Sequence, residues 1–149
     1  MSIRTNIIKG MNKILELVEY AKANSNSDDK EINFGIVSNS LAQEINKETG
    51  VFVRGAKKKL TASGIRHALA GHGNDKLERQ RGQTGLTNED FDLIPSILSI
   101  PDIVIKGNKS RNGRSISVVF VKTIKGNTFH VAMAKSAGDL VFTTMFIKK

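Results

Sequence analysis

Residues 67–83 read HALAGHGNDKLERQRGQ and hold two of the chain's three histidines, His67 and His72, five positions apart. Glu78, Arg79, Arg81 and Gln83 follow within eleven residues of His72. An imidazole exchanges protons near neutral pH, and a guanidinium grips phosphate through paired N–H donors. Together these groups suit metal-free cleavage of RNA. A base takes the proton of a ribose 2′-hydroxyl, and that oxygen attacks the adjacent phosphate. An acid then protonates the departing 5′-oxygen. Cations hold the charge that develops on phosphorus in between.

Other chemistries find less support. Two histidines ligate a metal from one helix face at a spacing of three or four, whereas a spacing of five turns the second about 140° from the first. The chain has no cysteine, which excludes disulfides and thiolate metal sites. It carries no phosphate-binding loop, no dinucleotide fingerprint and no nucleophile elbow. No metal and no cofactor is therefore expected. No apolar run is long enough to span a membrane and no signal-peptide pattern opens the chain, so a cytoplasmic site of action is expected.

The formal net charge of +9 is uneven. Residues 54–81 carry eight basic and two acidic groups, and residues 103–149 carry nine and one. Residues 82–102 carry four acidic groups and no basic one. Basic segments of this kind fit a polyanion such as RNA. The simplest expectation is that the basic groups of 54–81 and 103–125 converge on one face that includes His72. Lys57, Lys58, Arg66 and Arg79 then join Gln83 as substrate-binding candidates. Glu78 and Arg79 also fit a plain surface ion pair.

The elements that must position these groups follow from periodicity. Residues 7–23 have apolar positions at helical spacing, and 24–31 read as a linker. Residues 32–38 and 51–55 read as strands. Ser38, Asn39 or Ser40 caps a helix over 41–48, with Gly50 just past its end. Ser63 caps a helix that stops at Gly71 and Gly73, leaving His72 between them. Residues 74–86 read as a loop. Thr87 and Asp90 open a helix over 88–98 that Pro95 shortens or kinks. Four strands follow at 101–106, 115–123, 128–135 and 140–148, joined by hairpin turns. Helices first and sheet after is an α+β order. By alternation, His130 points away from the face holding Phe129 and Val131, and Lys122 away from the face holding Val119 and Val121. Thr144 shares a face with Phe142 and Phe146, Thr143 with Val141 and Met145.

Taken in order, IRHALAGHG, ERQRGQ, NEDFDLIPSILSIPDIVI and the closing FTTMFIK resemble the phage-associated members of the barnase–EndoU–colicin–RelE-like nucleases. The resemblance covers residues 32–149, with 1–31 left as a separate amphipathic helix and linker. It implies N-terminal helices packed on a four- or five-stranded antiparallel sheet, with the site on the open sheet face. It implies a metal-independent endoribonuclease, a toxin or phage effector acting on RNA (tRNA included) and met by a cognate immunity or antitoxin protein. Carried over by residue, it points to His67, His72, Arg81, Lys122 and Thr144 as catalytic groups with Gln83 beside them. His130 is claimed by no motif. The alternatives are a non-catalytic nucleic-acid-binding domain or a phage structural protein on the same fold. Tyr20 is the only tyrosine and tryptophan is absent, which favours a phosphate-centred site over base stacking.

Overall fold

A computed structural model of the chain describes residues 3–23, 30–109 and 116–148. Most of the expected 24–31 linker and Ser115 of the expected strand lie outside them. Helix α1 (Ile3–Ala23) is followed by strand β1 (Glu31–Ile36), helix α2 (Asn39–Thr49), strand β2 (Lys57–Thr61) and helix α3 (Ala62–His72). Helix α4 (Asp75–Gln80), the two-residue strand β3 (Gln83–Thr84) and helices α5 (Asn88–Asp92) and α6 (Ile94–Ser99) come next. Strands β4 (Ile103–Lys109), β5 (Ile116–Ile124), β6 (Asn127–Ser136) and β7 (Asp139–Lys148) complete the chain.

Local chemistry accounts for most helix ends. The Ser38 hydroxyl accepts from the Leu41 N–H at 3.2 Å, and Gly50 ends α2 at φ 77, a left-handed conformation open to glycine. Thr61, two residues before the expected Ser63, caps α3 by accepting from the Gly64 N–H at 3.0 Å. The Asp90 carboxylate accepts from the Thr87 N–H at 2.8 Å. The helix expected over 88–98 is two short ones, broken at Leu93, because Pro95 at the start of α6 has no N–H to continue the ladder.

Two segments differ from expectation. Residues 51–55 form no strand. The Ala56 N–H closes a turn onto the Val53 carbonyl at 3.0 Å, Gly55 takes φ 73, and the strand begins two residues later at Lys57. The expected loop 74–86 contains α4 and β3. Asn74 starts α4 by accepting from the Leu77 N–H at 3.2 Å, and Asp75 accepts from the Gly85 N–H at 3.0 Å.

Among the described residues the sheet has seven strands, more than the four or five expected, in the order β1-β2-β7-β6-β5-β4, with β3 pairing β7 near its end. The β4–β7 meander is antiparallel as expected, and β2 pairs β7 in parallel. One face, carrying Val118, Phe120, Phe129, Val131, Met133, Phe142, Met145 and Ile147, packs under the helices. Ile65 and Ala68 of α3, Phe91 of α5, and Ile94, Ile97 and Leu98 of α6 are fully buried in the same core. The opposite face carries two cross-strand rows: Val121, His130 and Phe146, then Val119, Ala132 and Thr144.

A β-bulge decides which threonine belongs to which face. Ala132 pairs Thr144 and Met133 pairs Phe142, so Thr143 is the extra residue. Its hydroxyl donates to the Ala132 carbonyl at 3.0 Å. Phe142 and Met145 are consequently both buried, although three apart. Simple alternation put Thr144 with Phe142; the bulge separates them and leaves Thr144 beside Phe146.

Helix α3 runs along β7, with Gly64 against Phe142 and His72 against Phe146. A Cβ on Gly64 would sit 2.8 Å from the Phe142 carbonyl oxygen and 2.9 Å from its ring. Gly64→Ala is therefore expected to cost about 1–3 kcal/mol of unfolding free energy. A Cβ on Gly71, in the same helix, would meet nothing within 4 Å, so Gly71→Ala should be neutral or stabilising by up to ~1 kcal/mol. Urea unfolding of the two variants beside the wild type checks the contrast.

Candidate active site

The site begins where α3 stops. The Gly73 N–H bonds the Leu69 carbonyl at 2.8 Å, and the Leu86 N–H reaches back to the His72 carbonyl at 2.9 Å. The chain between them folds α4 beneath the α3 end. Gly85 packs so closely on Asp75 that a Cβ would lie 2.7 Å from its Cα, which fixes where the loop returns. Gly82, at φ 73, turns the chain from Arg81 into β3.

That folding carries Glu78 inward until it is 1% exposed. Its two oxygens serve two partners. Oε2 lies 3.1 Å from His72 Nδ1, and Oε1 accepts from Arg81 Nη1 at 3.0 Å. Arg81 Nη1 also donates to the Gly71 carbonyl at 3.3 Å. A carboxylate accepts, so Nδ1 of His72 carries the hydrogen and Nε2 is left for chemistry. The Arg81 side chain is 55% exposed, and the contacts with Glu78 and Gly71 use one of its nitrogens. The expected Glu78–Arg79 surface pair does not form. Arg79 instead binds Asp75 at 2.8 Å, while Glu78 is buried because both its oxygens have partners.

On the other side of His72 stands Phe146. The two ring centroids are 5.5 Å apart. His130 stacks on the same phenylalanine at 4.5 Å and 9°. Both imidazoles contact Phe146, and their ring centroids therefore lie within 10 Å of each other. Lys148 reaches over Phe146 at 5.8 Å, and Gln83 pairs with Lys148 across the β3–β7 ladder. Gln83 Oε1 is buried with no hydrogen-bond partner among the described residues. Thr144 occupies the next row on the same face.

Burial, the largest influence, holds the His130 imidazole below the ordinary histidine range. The Thr128 backbone works against that shift, and the Lys148 ammonium adds to it. His130 Nδ1 is buried without a well-directed hydrogen bond among the described residues.

The remaining sequence candidates lie elsewhere. His67 is exposed on α3, turned about 140° from His72, so the two imidazoles do not face each other. Lys122 does alternate with Val119 and Val121, but the core face is that of Phe120, which Lys122 shares. Its Nζ donates to the Ile100 carbonyl at 2.6 Å and lies 3.9 Å from Asp102. The placement of Lys122 with the histidines on the open face is thereby corrected. Arg66 turns to α1 and donates to the Ala21 carbonyl at 3.5 Å. Lys58 is 8% exposed, above the Phe34 ring, and burial pushes its ammonium below the ordinary lysine range. Lys57 is exposed on β2, and β2 meets β7 at Leu140 and Val141, the end remote from Phe146. The basic groups of 54–81 do not all converge on His72.

His130, Phe146, Glu78 and Lys148 are the members that sequence reasoning left out. Alternation put His130 on the correct face, but no motif singled it out. Phe146 stood in the closing TMF only as a neighbour of Thr144. Among the described residues, no three His, Cys, Asp or Glu side chains cluster as metal ligands, and no helix is long and apolar enough to cross a membrane.

Comparison with known families decides the class. Residues 35–149 match the family model described as phage-Barnase-EndoU-ColicinE5/D-RelE like nuclease3. The chain belongs to this nuclease family. No curated protein and no solved structure matches it. The match takes in every residue of the Glu78–His72–Phe146–His130 group and leaves out α1 and most of β1. For this nuclease, nucleic acid is the substrate.

A titration tests the environment of His130. Its native pKa lies below the unfolded value of ~6.5, so the unfolded chain binds more protons in that window. The contribution is complete above about pH 6.5 and is lost as pH falls through the native pKa. A His130 proton resonance should titrate below the free-histidine midpoint. The fall in urea midpoint between about pH 7 and pH 5 should be shallower in His130→Phe. An ordinary midpoint for His130 would contradict the burial argument.

Proposed function

We propose that the protein is a metal-independent endoribonuclease in which His130 and His72 work as base and acid on either side of the scissile phosphate. The observation that carries this reading is the packing of both imidazoles on Phe146, with the buried Glu78 orienting one of them. His130, held below the ordinary histidine range, is neutral near pH 7 and takes the 2′-hydroxyl proton. The 2′-oxygen attacks phosphorus and the bond to the 5′-oxygen breaks. His72 Nε2 gives that oxygen a proton, while Glu78 stabilises the charged imidazole through Nδ1. Arg81 and Lys148 hold the non-bridging phosphate oxygens, and Thr144 and Gln83 supply neutral hydrogen bonds. The products carry 2′,3′-cyclic phosphate and 5′-hydroxyl ends.

The 2′-hydroxyl as nucleophile makes RNA the substrate, and it makes a metal unnecessary because protein cations supply the positive charge. Acting on cellular RNA, tRNA included, the enzyme would be a cytoplasmic toxin or phage effector and would call for a cognate immunity protein. The runner-up is a nucleic-acid-binding domain without turnover. It is favoured by the departures from the expected catalytic set, since Lys122 and His67 lie away from His72.

Incubation of purified protein with total RNA in EDTA should give cyclic-phosphate ends. His72→Ala and His130→Ala should each lower cleavage roughly 10²–10⁴-fold while the protein stays folded and still binds RNA. Lys122→Ala should cost far less, because Lys122 faces the core side. Full activity in His72→Ala would overturn the assigned roles, complete loss in EDTA would overturn the metal-free chemistry, and RNA binding without cleavage by the wild type would leave the binding-domain reading.

A further inference from the structure

Phe52 is 69% exposed although its neighbour Val53 is 2% exposed. It stands in the turn between α2 and β2, on the rim of a small groove of about 230 Å³. The opposite wall is α2, which presents Asn39, Gln43 and Asn46, with Ala42 at the floor and Arg54 beside Phe52. The three amides are spaced four and three residues apart, so they stack on one side of the helix. Leu41 and Ile45 bury the other side. Among the described residues, no carboxylate lines the groove.

We infer that this groove binds one unpaired base of the RNA strand. Phe52 stacks on the face of the base, the amides of Asn39, Gln43 and Asn46 pair with its edge, and Arg54 takes the adjoining phosphate. An exposed aromatic ring is the standard platform for a splayed-out base, and amides offer both donor and acceptor to a Watson–Crick or Hoogsteen edge. The cavity is smaller than a site for a drug-sized ligand, which suits a single ring system. A duplex hides its base faces in the stack and would not enter. A protein partner would want a larger apolar patch than one phenylalanine offers.

The groove is separate from the histidine pair. Helix α2 packs against β4, and β4 lies three strands from β7, on the order of 14 Å across the sheet. A base held there would anchor a single strand at a distance from the cut. The inference rests on RNA being the substrate, and the test must separate the two ideas.

The test uses a labelled single-stranded 2′-O-methyl oligonucleotide, which binds but offers no attacking hydroxyl, followed by fluorescence anisotropy. Phe52→Ala should weaken binding roughly 5- to 100-fold, since stacking on one aromatic is worth that much. Phe52→Leu should recover little, and the salt slope should be unchanged because no phosphate contact is lost. Affinity for a duplex of the same length should not move. Cleavage of a dinucleotide too short to reach the groove should proceed in Phe52→Ala as in the wild type. Thermal melting confirms that each variant is folded. Equal single-strand affinity in the wild type and Phe52→Ala overturns the inference while leaving the nuclease reading intact. Failure of the wild type and of His72→Ala to bind the oligonucleotide at all overturns both.

Discussion

A single buried carboxylate organises the end of this molecule that holds His72. Glu78 is 1% exposed, and a carboxylate in that position costs several kcal/mol unless its oxygens are satisfied. Two donor side chains satisfy it, His72 at one oxygen and Arg81 at the other. The demand is reciprocal. Glu78 can be buried only if α4 folds under the end of α3, and His72 and Arg81 point inward only because Glu78 is there. The Arg79–Asp75 pair shows what such a contact is worth without burial. Both its side chains are well exposed, and pairs of that kind contribute a few tenths of a kcal/mol. The difference is why Glu78 shapes the loop and Asp75–Arg79 decorates it.

The sheet supplies the other half of the site by a change of register. A strand that alternated regularly from Phe142 to Lys148 would send Phe146 into the core and Met145 outward. The extra residue at Thr143 exchanges the two faces beyond it. Phe146 then emerges on the open face beside His130, and α3, held close by Gly64, delivers His72 to the same ring. One bulge and one close helix approach bring together groups from α3 and β6 that are fifty-eight positions apart in the chain.

The positive charge is distributed in a way that its bulk value hides. Lys58 is folded against Phe34, Arg66 against the end of α1, Lys59 between Glu31 and Asp139, and Lys122 against the Ile100 carbonyl. These cations stitch elements together. Arg81 shares the buried Glu78 with His72, and Lys148 stands over the Phe146 ring that both histidines contact. That distribution leaves no extended track of unpaired cations among these residues.

The helices, the four-strand meander and the family were legible in the chain because their signals are local. Apolar spacing, capping residues such as Ser38 and Asp90, and hairpin turns each act within a few positions. Ordered motifs around His72 and Arg81 marked the region of the site for the same reason. The parallel strand β2 and the short β3 were not legible, because their partner β7 lies far away in sequence, and the turn that exposes Phe52 was not legible because VFV has strand residue types although Gly55 closes it locally. The true companions of His72 were hidden in the same way. Whether Lys122 faces the core depends on which side of β5 the helices cover, and whether Thr144 sits beside Phe146 depends on a single inserted residue. His130 was placed on its face by alternation, yet only the packing of α3 against β7 turned an outward histidine on a middle strand into the neighbour of His72. Sequence determined the elements and the chemistry available to them; tertiary structure decided which groups meet, since a contact between distant residues is set by burial and register rather than by spacing.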